Sequence, residues 1–136
     1  MGKNRSGIIA GTPMYMAPEQ AKGETLDQRA YLRLGSITEA MATGLRDAAA
    51  SAGVAVQVVS VPGLFTVFFS DEPVHDYAGA KACDTEAYAA WCRALLARGV
   101  FGPASQFEAW FPSLAHTREH LDRALDAAAA AFSDVA

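Results

Sequence analysis

Apolar side chains recur at helical spacing from Tyr31 onward, where Tyr31, Leu34, Met41, Leu45, Ala48 and Ala52 fall along one face of a 3.6-residue period. Asp27 stands where an N-cap would, and Gly53 where a left-handed residue would close the element. The spacing therefore predicts a helix of about 25 residues, weakened at Gly35 and Gly44. The pattern then changes to β-branched and aromatic runs, Val54 to Val61 and Leu64 to Ser70, joined through Pro62-Gly63 and read as an antiparallel pair. Asp71-Glu72-Pro73 ends the second run, and the polar stretch through Lys81 reads as a surface connection. Helical spacing returns from a cap at Asp84 to Arg98, burying Tyr88, Trp91, Cys92 and Leu95 and stopping at Gly99. Val100-Phe101 reads as a short strand. The run from Phe107 to Leu114 contains Pro112, which confines any strand there to an edge. Thr117 caps a last helix with an apolar stripe of Leu121, Leu125, Ala128 and Phe132.

This order predicts an α+β fold, a small antiparallel sheet covered by helices. Residues 1–26, rich in Gly, Pro and Met, show no period and read as an irregular segment ahead of a domain spanning 27–136. At 136 residues the chain is long enough to bury a core without disulfides or metals, yet short for an enzyme that holds a large organic cofactor. Lys and Arg number 11 against 15 Asp and Glu, giving a net charge of −4 without a basic stripe, which disfavours nucleic acid as a partner. No apolar run is long enough to span a membrane. The opening Met-Gly-Lys-Asn-Arg-Ser has no apolar core of a secretory signal, so a cytoplasmic location is expected. Cys83 and Cys92 then read as reduced, semi-buried thiols rather than a disulfide framework.

Candidate chemistry is sparse. His116 and His120 are four apart, but His116 precedes the cap Thr117 and no glutamate of an HExxH pattern lies between them, so no metal site is expected. Cys83 with His75, or Ser105 with His116, could be paired on paper, without a nucleophile elbow to support either. Lys3, Lys22 and Lys81 all sit in polar company, and no desolvated Schiff-base lysine is evident. Glu108 is the carboxylate that draws attention, set within Gln106-Phe107-Glu108-Ala109-Trp110-Phe111. Bulky neighbours closing over it would raise its pKa; simple alternation would instead turn it to water.

From about Tyr31 to the C-terminus the chain resembles the C-terminal domain of glutamate-1-semialdehyde 2,1-aminomutases, pyridoxal-phosphate enzymes of the class III aminotransferase group. The resemblance is carried by Gly63-Leu64-Phe65-Thr66-Val67-Phe68-Phe69, by Glu72-Pro73-Val74 with Asp76-Tyr77, by Ala82-Cys83-Asp84-Thr85-Glu86 and by Leu95-Leu96-Ala97-Arg98-Gly99-Val100. Its most specific motif is Pro103-Ala104-Ser105-Gln106-Phe107-Glu108-Ala109-Trp110-Phe111, followed by Ser113-Leu114-Ala115-His116-Thr117. It implies the small domain of fold-type I pyridoxal-phosphate enzymes. It also implies an activity that converts glutamate 1-semialdehyde into 5-aminolevulinate for tetrapyrrole synthesis. By the same resemblance Glu108 lines the substrate pocket, where a negative charge would repel the α-carboxylate of an ordinary amino acid. The Schiff-base lysine and most cofactor ligands belong to the family's large domain. The resemblance therefore implies that these residues alone neither bind pyridoxal phosphate nor turn over, and that the partner is a large domain or a second copy in a dimer. The alternative is a non-catalytic module that dimerises or pairs with a full-length aminotransferase-fold protein.

Residues 7–30 carry a second likeness. Gly11-Thr12-Pro13-Met14-Tyr15-Met16-Ala17-Pro18-Glu19 is similar to the stretch that closes the activation segment of serine/threonine kinases, and Asp27-Gln28-Arg29-Ala30 continues it. The Gly-rich loop, the strand lysine, the His-Arg-Asp loop and Asp-Phe-Gly are all missing, which excludes kinase activity. The same residues can be laid on the aminomutase segment Gly-Thr-x-Ser-Gly-Asn-Pro, with Ile8 in place of the threonine that reaches the cofactor phosphate. Ile offers no donor to a phosphate. The two registers remain alternatives on sequence alone.

Overall fold

The computed structural model describes residues 28–136. The expected cap Asp27, the irregular segment 1–26 and both N-terminal likenesses up to that point lie outside the described residues.

Helix α1 (Gln28–Ala52) buries Thr38, Met41, Ala42, Leu45 and Ala49, the face anticipated from the spacing, although Tyr31 near its start is exposed. It ends at Gly53, whose φ of +73° lets Val54 N–H reach back to Ala49 O at 2.9 Å. Gly44 is a contact point rather than a simple weakness. A Cβ there would meet Leu125 at 2.6 Å, so the missing side chain lets α1 approach the last helix closely.

Strands β1 (Gln57–Val61) and β2 (Leu64–Phe68) pair antiparallel, Gln57 opposite Phe68 and Val61 opposite Leu64. Both are shorter than expected. Val54–Val56 enters without ladder partners, and Phe69 leaves the ladder but stays buried. Across the turn, Gly63 N–H donates to the buried Thr38 Oγ1 at 3.0 Å, while Thr38 donates to Leu34 O at 2.8 Å. One hydroxyl on α1 thus fixes where the hairpin turn sits.

The polar connection between β2 and Asp84 contains a helix, α2 (Tyr77–Ala82), capped by Asp76, which accepts from Gly79 N at 2.8 Å. Six residues are too few for a periodic signal, and the cap is what starts the turn. Helix α3 (Thr85–Ala97) begins at Asp84 as expected and buries Tyr88, Trp91 and Leu95; Cys92 is only partly covered. Helix α4 (Arg118–Val135) starts after Thr117 and buries Leu121, Ala127, Ala128, Ala131 and Phe132. Leu125 lies at the margin of this stripe.

α4 packs against α1 and α3, and α1 covers the hairpin. The core at their junction is aromatic: Trp91 stacks on Phe132 with ring centroids 4.9 Å apart, and Phe69 lies within about 6 Å of Tyr88, Trp91 and Phe132. The strand expected at Val100-Phe101 does not form, and the pairing that Pro112 was expected to limit is a single bridge. Val100-Phe101 is irregular, with Phe101 88% exposed, and the run from Phe107 to Leu114 contributes a single bridge, Trp110 to Phe65. Pro112, without an N–H to donate, stands where the pairing would continue. The architecture is the α+β arrangement predicted, a small antiparallel sheet under helices.

Candidate functional site

Residues 100–116 cross from the end of α3 to the start of α4 without regular structure and wall an open pocket of about 360 Å³. Its floor is apolar: Met41 from α1, Phe65 from β2, Trp110, and Leu121 and Ala124 from α4. Its polar groups are Glu108, His116 and His120.

Several ties shape the wall. Tyr88 Oη donates to Pro103 O at 3.0 Å and Cys92 Sγ to the same carbonyl at 3.4 Å. Burial pushes the Tyr88 phenol far above its usual range and raises both the Cys92 and Cys83 thiols. Both shifts favour the protonated thiol over the thiolate, the nucleophilic form. Gln106 is buried, and its Nε2 donates to Ala80 O at 3.0 Å, so the short helix α2 anchors the pocket segment. This tie was not legible in the sequence, where Gln106 reads as one polar residue in an aromatic run.

Glu108 stands on the rim, exposed, its backbone N–H held by Ser105 O at 3.1 Å. The bulky neighbours do not close over it. Phe107 is turned outward to Tyr77, at 6.1 Å between ring centroids, and Phe111 is 58% exposed. Of the two expectations, the one that turned Glu108 to water describes its surroundings, and the residue is also part of the pocket lining.

The paper pairings are not assembled. Cys83 Sγ donates to Gly79 O at 3.2 Å, Ser105 Oγ accepts from Phe107 N at 3.2 Å, and His116 is engaged with Ser113 instead. Among the described residues no group of three or more His, Cys, Asp and Glu could hold a metal. Lys81 is the sole lysine among them; it is exposed on α2, with Nζ 5.7 Å from the Tyr77 ring centroid. A Schiff-base lysine needs a desolvated amine beside the cofactor ring, and Lys81 has neither burial nor an adjoining cradle. The described residues do not fit pyridoxal phosphate. Among them, no helix is long and apolar enough to cross a membrane.

The arrangement of helices over this hairpin is that of one part of the pyridoxal-phosphate transaminases. A transaminase with PLP bound superposes over 81% of this chain and 24% of its own, with a TM-score of 0.64 and 24% identity. An omega-transaminase from Sphaerobacter thermophilus covers 85% and 26%, at a TM-score of 0.67 and 22% identity. The PLP internal aldimine form of the FumI protein of Sphingopyxis sp. MTA144 covers 79% and 23%, at 0.63 and 27% identity.

By sequence the chain is similar to the C-terminal part of glutamate-1-semialdehyde 2,1-aminomutases. The protein of Anaeromyxobacter dehalogenans strain 2CP-1 is 44% identical over 132 residues, that of Desulfosudis oleivorans 43% over 132, and that of Thermomicrobium roseum 39% over 133. The chain spans 31% of the length of each. No family model matches it. The first of these matches covers 97% of the chain and so takes in most of residues 1–27, which weighs the N-terminal likeness toward the aminomutase register.

Proposed function

We propose that residues 27–136 form the small domain of a pyridoxal-phosphate-dependent glutamate-1-semialdehyde 2,1-aminomutase, an isomerase that yields 5-aminolevulinate for tetrapyrrole synthesis. The observation that carries this is the identity of 44% across 97% of the chain, with the most specific motif forming the pocket wall. The pocket is a half-site. It offers an apolar floor and the carboxylate of Glu108, and it lacks a cofactor cradle and a buried amine, which the family's large domain supplies. Glu108 is the substrate-selecting group: a fixed negative charge at the mouth disfavours a ligand presenting a carboxylate there. Catalysis then requires a large domain, within a dimer of the kind the family forms, in the cytoplasm.

The test is reconstitution. The chain is mixed with an aminomutase large domain from a relative truncated of its C-terminal part, then supplied with pyridoxal phosphate and glutamate 1-semialdehyde. Formation of 5-aminolevulinate only in the mixture is expected. A chain that forms an internal-aldimine absorption band by itself, abolished by Lys81→Ala, overturns the proposal.

The exposure of Phe101 and Phe111 at the pocket mouth supports a second reading, a non-catalytic module that pairs through this apolar rim with itself or with an aminotransferase-fold protein. A monomeric sedimentation profile at high concentration, without binding of a hydrophobic dye, rules it out.

A further inference from the structure

The wall of the pocket facing α4 is held by two histidines used as acceptors. Ser113 N–H donates to His116 Nδ1 at 2.9 Å, and Thr117 N–H donates to His120 Nδ1 at 3.1 Å. The second bond completes a capping box, since His120 N–H donates in turn to Thr117 Oγ1 at 3.4 Å. Such boxes ordinarily place Glu or Gln at this third position, and those side chains remain acceptors throughout the neutral range. An imidazole does not. When protonated, both of its nitrogens carry hydrogen and it can only donate.

We propose that His116 and His120 form a proton-sensitive latch on the pocket wall: while neutral they accept from Ser113 N–H and Thr117 N–H and hold the first turn of α4 and the Ser113–Thr117 corner in place, and protonation breaks both of these bonds. Neutral rings with Nδ1 as acceptor carry their proton on Nε2. Acidification turns each Nδ1 from acceptor to donor: the exposed Thr117 N–H is left to water, and Nδ1–H of His116 is set against Ser113 N–H and turns instead to Ser113 Oγ or Ser113 O, 3.2 and 3.3 Å away. Two further effects act in the same direction. A cation at the N-terminus of α4 opposes the helix dipole. The rings are also close, with centroids 6.2 Å apart, so the second positive charge is opposed by the first.

The surrounding charges are mixed. Arg98 from the end of α3 and Arg123 on α4 line the adjoining groove with both rings, and Glu108 lines the pocket itself. On α4, Glu119 lies in the first turn and Asp122 is engaged by Arg118 at 2.8 Å. α1 presents only the apolar Met41 to this pocket. The latch belongs to the same pocket as the proposed substrate site, and its significance for catalysis rests on that reading. Its existence does not.

The experiment is amide hydrogen exchange on the 136-residue chain at a higher pH, where imidazole 15N shifts report both rings neutral, and at a lower pH, where they report both protonated. The expected result is the Nε2–H tautomer for both rings at the higher pH and a roughly tenfold or greater loss of protection at Thr117 and Ser113 at the lower, after correction for intrinsic exchange, as expected for one lost hydrogen bond each. In His120→Gln the acceptor no longer titrates, so Thr117 protection becomes independent of pH while that of Ser113 still falls. Protection of Thr117 that does not change with pH in the native chain, or an Nδ1–H tautomer for His120 at the higher pH, overturns the latch. Neither readout involves substrate, so failure of the aminomutase reading is scored separately by the reconstitution assay.

Discussion

Phe65 and Trp110 exchange two backbone hydrogen bonds, of 3.1 and 2.7 Å, and stack their rings with centroids 5.5 Å apart. This one bridge fastens the pocket segment to the sheet. Trp110 also lies against Trp91 at 5.8 Å and packs directly over Gly102, where any Cβ would collide with the indole. Trp110→Ala is therefore expected to cost about 3 kcal/mol, at the lower end for an aromatic truncation because the ring is half-buried. Gly102→Ala is expected to cost about 1–3 kcal/mol by displacing the indole. Urea denaturation of each variant measures this; unchanged midpoints would show that the bridge does not anchor the wall.

Thr38 serves the hairpin from a distance. Replacing it with Val keeps the shape but leaves Gly63 N–H without its acceptor, an expected loss of about 1–3 kcal/mol in thermal or chemical unfolding. Thr38→Ser keeps the hydroxyl and is expected to retain most of the stability. Equal losses in both variants would assign the effect to packing of the methyl group instead.

Tyr88 and Cys92 converge on Pro103 O, and burial raises both groups. A raised value in the folded state means that the protein holds these protons when the unfolded chain would release them. Their contribution is complete below the unfolded values, about 8.5 for Cys and 10 for Tyr, and is lost as pH rises beyond them. Stability is therefore expected to be flat near neutrality and to fall progressively above about pH 9. Tyr88→Phe should lie about 1 kcal/mol lower at pH 7, with a shallower alkaline decline. A thiol reagent at neutral pH should label Cys92 far more slowly in the folded than in the unfolded chain.

Much of this architecture is readable from side-chain periodicity. The faces of α1, α3 and α4 and the pairing of β1 with β2 follow from spacing, and the caps Asp84 and Thr117 stand where the pattern changes. What escaped was fixed by tertiary contact. α2 is too short to show a period and is held by the Asp76 cap and by Gln106 from a distant segment. Val100-Phe101 has strand composition but finds no partner strand, so Phe101 faces outward. In the site, Glu108 could be named from its motif. The role of His120 as a cap acceptor could not, because position N3 is recognised in sequence by Glu or Gln.

Glu108 gives the sharpest test of the pocket reading, because its structural and functional roles separate. The side chain is exposed on the rim and makes no ion pair among the described residues, so Glu108→Gln should change the stability of the chain by no more than about 0.5 kcal/mol. In the reconstituted enzyme the same change removes a fixed negative charge from the mouth. If that charge discriminates, the variant should retain turnover of glutamate 1-semialdehyde within several-fold while accepting ordinary α-amino acids about tenfold better, corresponding to about 1.4 kcal/mol of lost discrimination. The ratio of kcat/KM for the two substrate types measures this directly. An unchanged ratio with intact folding would place the selecting group elsewhere, and a collapse of both activities would make Glu108 a participant in turnover rather than a filter.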